Sequence, residues 1–144
     1  MESEEQTLET NAYLSLCHES DKALARLVEE IEKREHPTVL LMFGDHSPSF
    51  AADTLGLDYN EPIMHETPYL LYANFPYTKS EHWETAVPLP YLNLYVSEAA
   101  GLPLSPVQKH LSKLYETKTD ISIFADRHNP ALETYWAMCY QLMK

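Results

Sequence analysis

Thr38-Val39-Leu40-Leu41-Met42-Phe43-Gly44-Asp45-His46-Ser47-Pro48-Ser49 is the stretch whose reading decides the fold. After Thr38 the run is apolar without a break as far as Phe43. A strand with one wet face would alternate polar and apolar residues, because successive side chains point to opposite faces. An unbroken apolar run after a helix reads instead as a central strand of a parallel sheet, covered on both faces. The run stops at Gly44, and the small, polar, proline-bearing residues that follow predict a sharp change of chain direction.

Working outward, Tyr69-Leu70-Leu71-Tyr72-Ala73 follows Thr67-Pro68 and predicts a second buried strand. Pro68 stands at its start, where no ladder donor is lost. Upstream, from about Asn11 to Arg34, Tyr13, Leu16, Cys17, Leu24, Leu27, Val28 and Ile31 recur mostly at three and four. That period predicts a one-sided amphipathic helix. Lys33 and Arg34 would sit in its last turn, where the helix dipole favours cations, and Pro37 forbids continuation.

Residues 1–10 are acidic and are expected to fray as a tail, leaving 11–144 as a single domain. Beyond the second strand the reading is helical. Pro90 to Ala100 is closed by Gly101 as a left-handed cap, and Ser105-Pro106 opens a helix to about Tyr115 with Val107, Leu111 and Leu114 inward. Asn129-Pro130 opens a final helix carrying Leu132, Tyr135, Trp136, Cys139, Tyr140 and Met143. Helix, strand, loop, strand and three helices is an α/β order, with a short, mostly parallel sheet and flanking helices.

Composition narrows the function. With 144 residues, 44% apolar and 22% charged, the chain is globular rather than disordered. Its net charge is −12, and residues 1–36 hold 4 basic against 10 acidic groups while 37–144 hold 6 against 12. Without a basic cluster, binding to a nucleic-acid backbone or to an anionic membrane surface is not expected. Cys17 and Cys139 form neither a disulfide framework nor a CxxC pair. The longest apolar run, Tyr135 to Tyr140, falls far short of the ~20 residues of a membrane span. Glu2, Glu4, Glu5 and Glu9 replace the basic start of a signal peptide, so neither signal nor span is expected in these residues.

In open α/β sheets ligands bind beyond the carboxyl ends of the strands. Only the first strand ends at once in a small residue and two metal-competent groups, Gly44-Asp45-His46. Past a turn, the Asp45 carboxylate and His46 imidazole can converge on one divalent cation. The alternative is that Asp45 caps the loop and His46 packs as an ordinary polar turn, since two ligands are too few for a catalytic site.

Other constellations are weaker. Ser47 and Ser49 lack a GxSxG elbow. His65 and Glu66 either support the ligands or contact substrate, or they belong to a solvated loop. His18, His36, His82, His110 and His128 are scattered singly, as surface residues usually are. Tyr91 with Tyr95, and Trp136 with Tyr140, share helical spacing and read as core or rim packing rather than a sugar platform. Three isolated glycines make no phosphate loop.

The run from Pro37 to Pro48 resembles a signature of the lipoteichoic acid synthase-type sulfatase family, in the alkaline phosphatase superfamily, where a buried strand ends in Gly-Asp-His. Agreeing surroundings are Tyr13 to Leu16, Ser20 to Leu24, Thr67 to Asn74, Tyr91-Leu92, Ala99 to Leu102, Leu104 to Pro106 and the aromatic Tyr135 to Leu142. The resemblance implies the C-terminal third of a three-layer catalytic domain, in an enzyme anchored at the extracytoplasmic face of the bacterial cell membrane. It implies a threonine nucleophile activated by a divalent metal, Mn²⁺ before Mg²⁺ or Zn²⁺, and a phosphate, sulfate or lipid head-group ester as substrate. Asp45 and His46 would supply two metal ligands.

The family's nucleophile, its other ligands and its early strands lie upstream of the matched segment and map to no residue here. The implied partner is therefore the N-terminal half of the catalytic domain. Without it the first strand is expected to self-associate through an exposed sheet edge. The contrasting reading is a non-catalytic remnant or interaction module that keeps the fold without turnover.

Overall fold

The two apolar runs form strands β1 (Val39–Phe43) and β2 (Tyr69–Ala73) of a two-stranded sheet. They are seen in a computed structural model that describes residues 4–79, 83–84, 86–117, 119, 121–122 and 128–142. The strands pair antiparallel, Val39 opposite Ala73 through Phe43 opposite Tyr69. This corrects the expectation of a parallel sheet. Parallel neighbours need a crossover, usually a helix long enough to span the sheet. Between β1 and β2 the helical pieces are only α2 (Ala51–Leu55) and a 3-10 turn at Pro62–His65. Apolar continuity reports half-burial on both faces, from Val39 to Met42 and along all of β2, and says nothing of direction.

The chain divides into two compact units, Met1–Phe75 and Pro76–Lys144. In the first, helix α1 spans Glu4–Glu32, so it starts well before Asn11 and includes most of the acidic segment expected to fray. It ends just before Lys33, which leaves no basic residue in its last turn. Ile31 is buried and Leu24 and Val28 are half-buried, whereas Tyr13, Leu16, Cys17 and Leu27 are exposed. Of the apolar positions on the expected face, those from Leu24 to Ile31 thus carry most of its burial. Tyr13 meets Phe50 edge-on, with ring centroids 5.7 Å apart.

The second unit follows its turn signals closely. Helix α3 (Leu92–Ala99) is preceded by a 3-10 turn at Leu89–Tyr91. It ends in a Schellman arrangement with Gly101 at φ +63°, its N–H on the Glu98 carbonyl and that of Leu102 on the Ser97 carbonyl. Helix α4 (Pro106–Glu116) opens on a reciprocal capping box between Ser105 and Gln108. Helix α5 (Pro130–Leu142) opens where the Asn129 side chain accepts the Ala131 N–H at 3.0 Å. The core gathers Tyr91, Leu92, Tyr95, Leu111, Leu114 and Leu132, with Trp83 stacked on Tyr95 at 4.6 Å. Of the two aromatic pairs, Tyr91 and Tyr95 lie in this core, whereas Trp136 and Tyr140 are more than half exposed, at 57% and 59%, and lie outside it. Met143 lies outside the described residues.

Candidate metal centre

Residue 44 is where β1 hands over to the loop that carries the candidate ligands. Its N–H donates to the Pro68 carbonyl at 3.0 Å, extending the ladder one rung past Phe43. In an antiparallel hydrogen-bonded pair the opposite residue would return a bond from its own N–H. Pro68 has none. The Thr67 hydroxyl takes that place and donates to the Gly44 carbonyl at 2.8 Å. A Cβ at residue 44 would stand 3.0 Å from the Thr67 Cβ and 3.4 Å from its Cγ2. Glycine serves close approach here, and not the left-handed backbone that Gly56 and Gly101 adopt.

Asp45 and His46 follow on that anchored peptide. One carboxylate oxygen of Asp45 accepts the His46 N–H at 3.0 Å. The His46 Nδ1 lies 3.0 Å from the Ser47 carbonyl. A carbonyl only accepts, so Nδ1 carries a proton, and in the neutral imidazole the lone pair then sits on Nε2. Nε2 is 3.6 Å from the second Asp45 oxygen. Two donors each about 2.1 Å from a tetrahedral metal lie about 3.4 Å apart. The pair therefore fits one divalent cation in both chemistry and spacing. Both side chains are open to solvent, at 83% for Asp45 and 73% for His46.

No third donor joins them among the described residues. His65 packs edge-on against Tyr59, centroids 5.3 Å apart. The Glu66 N–H closes the 3-10 turn on Ile63, and Asp53 belongs to α2. Asp58, in the same connection, accepts the Asn60 backbone N–H at 2.8 Å and side-chain amide at 2.9 Å, which hold its carboxyl below the usual range. Of the scattered histidines, His18, His36 and His128 are exposed, while the half-buried His110 places Nε2 3.2 Å from the Ala131 carbonyl. His82 lies outside the described residues.

Two contributors escaped the sequence reading. Thr67 steadies the turn at the ligand end of the sheet. Asn74 does so at the other end, where its side chain accepts the Thr38 N–H and donates to the carbonyls of Ile31, Arg34 and His36. Asn after an apolar run signals a turn, but the partners lie some forty residues earlier in the chain.

No described helix is long and apolar enough to cross a membrane. Neither a curated protein nor a solved structure matches the chain. The family model for sulfatases does match, over residues 2–88, more than half of the sequence. That span takes in β1, the Gly44-Asp45-His46 turn and β2, and by it the chain belongs to the sulfatase family.

Proposed function

We propose that the chain contributes half of the metal site of a hydrolase or phosphoglycerol transferase acting on phosphate or sulfate esters, of the lipoteichoic acid synthase type. Asp45 would bind the cation, Mn²⁺ first, through a carboxylate oxygen, and His46 through Nε2. A divalent cation there lowers the pKa of a nucleophile and offsets charge on the ester undergoing transfer. The nucleophile and the remaining ligands come from outside these residues, as does the lipid or other ester substrate. The extracytoplasmic setting belongs to the same proposal. The observation that carries the reading is the 3.6 Å approach of the free Asp45 oxygen to the Nε2 lone pair of His46.

The test is calorimetric titration with Mn²⁺ and Zn²⁺, beside an assay with chromogenic phosphate and sulfate esters. Binding should be weak, because a tight site needs three or four protein donors, and it should vanish in Asp45→Asn and His46→Ala. The chain alone should show no turnover above background. Binding unchanged in both variants removes the metal reading. Turnover abolished by Asp45→Asn would mean the site is complete within these residues.

A further inference from the structure

We infer that Thr67 is a positioning residue for the Asp45–His46 pair, acting through the Gly44 carbonyl; this rests on the metal reading above. The two donors cannot be held by packing, since both side chains are mostly in solvent. Their placement is set by the backbone that carries them. The carbonyl bonded by Thr67 belongs to the peptide that joins Gly44 to Asp45, so the hydroxyl fixes the plane from which the Asp45 Cα projects. The other side of Gly44 is fixed by its own N–H on Pro68. Pro68 leaves the carbonyl without its ladder donor, and Thr67 is the residue that supplies one. From Asp45 the order passes to His46, whose N–H and Nδ1 are tied to the Asp45 and Ser47 oxygens. The chain of bonds thus runs Thr67, Gly44, Asp45, His46. Groups that orient metal ligands are typically worth ten- to a hundredfold in affinity.

The experiment follows Mn²⁺-induced broadening of the His46 imidazole signals in the 144-residue chain, with thermal melting measured alongside. Thr67→Val should weaken Mn²⁺ affinity about tenfold, and Thr67→Ser, which keeps the hydroxyl, should restore it. A merely structural residue would lower the melting temperature and leave the affinity of the folded chain unchanged. Thr67→Ala carries the same expectation as Thr67→Val if the latter does not fold. Wild-type affinity in the valine or alanine variant, with binding still abolished by Asp45→Asn, overturns the role of Thr67 and leaves the metal reading standing. Binding that survives Asp45→Asn and His46→Ala overturns both.

Discussion

Thr38 and Asn74 close the sheet at the end opposite the candidate metal centre. The Asn74 N–H donates to the Thr38 carbonyl at 3.2 Å, and the Thr38 N–H donates to the Asn74 side-chain oxygen at 2.8 Å. The Asn74 amide nitrogen then reaches the carbonyls of Ile31, Arg34 and His36, at 3.0, 3.1 and 3.2 Å. One side chain therefore caps helix α1, fixes the link to β1 and extends the ladder. At the other end Thr67 completes the rung that Pro68 cannot. Each end of this short sheet is finished by a side chain where a backbone bond is wanting.

Asn74→Ala should destabilise the first unit by ~1–3 kcal/mol, because it strips partners from partly buried backbone groups. Asn74→Asp should cost more: it keeps the acceptor for Thr38 but sets a carboxylate oxygen against carbonyls. Thermal melts and amide exchange at Thr38 measure both, and equal stability of the two variants would remove the donor role.

Gly44→Ala should be destabilising by about 1–3 kcal/mol, the usual cost of overpacking a filled site. The added Cβ meets the Thr67 Cβ at 3.0 Å, and neither can move without disturbing the Thr67–Gly44 bond. The same substitution should also weaken Mn²⁺ broadening of His46. Unchanged melting would show that the strand ends part freely.

Tyr135 gives the second unit an alkaline limit. Burial first, and the neighbouring Cys139 thiol second, push its phenol up to about 12 from 10.0. A phenol whose folded pKa is raised stays neutral in the fold while the unfolded chain ionises. Its contribution is whole below pH 10 and is lost as the pH climbs from 10 towards 12. Stability followed by helix content should fall over that range in the wild type, and less steeply in Tyr135→Phe. Identical alkaline profiles for the two proteins would rule out this phenol as the cause.

Local signals carried far in this sequence. The second strand spans Tyr69–Ala73 as its apolar run predicts, and Ser105-Pro106, Asn129-Pro130 and Gly101 bound their helices where cap chemistry puts them. Such features depend on neighbours a few residues away. Strand direction does not: the apolar run suits either pairing, and the two strands pair antiparallel. Burial of α1 and α5 also depends on what lies against them, so Leu16 and Trp136 stand exposed despite helical spacing that suits a core. At the candidate site, sequence order alone makes Asp45 and His46 neighbours. The grip of Thr67 on Gly44 joins residues 23 apart and leaves no local signal in the sequence.

The free side of β1 supports a last expectation. The bonds Asn74 to Thr38 and Gly44 to Pro68 mark hydrogen-bonded pairs at both ends of the ladder. Alternation in an antiparallel pair then turns the backbone groups of Val39, Leu41 and Phe43 away from β2. Those groups have no backbone partner among the described residues. The strand is Val-Leu-Leu-Met-Phe, without a charge or proline to blunt its edge. Its outward residues are symmetric about Leu41, so a second copy can pair antiparallel with Leu41 opposite Leu41 and Val39 opposite Phe43. The net charge of −12 opposes the approach, and salt screens it. The chain should therefore self-associate at micromolar concentration in sedimentation velocity, more so as salt is raised. Phe43 is 49% exposed, so Phe43→Lys should return a monomer without loss of fold. A wild-type monomer at every salt concentration, melting cooperatively, would show that this edge does not template a partner.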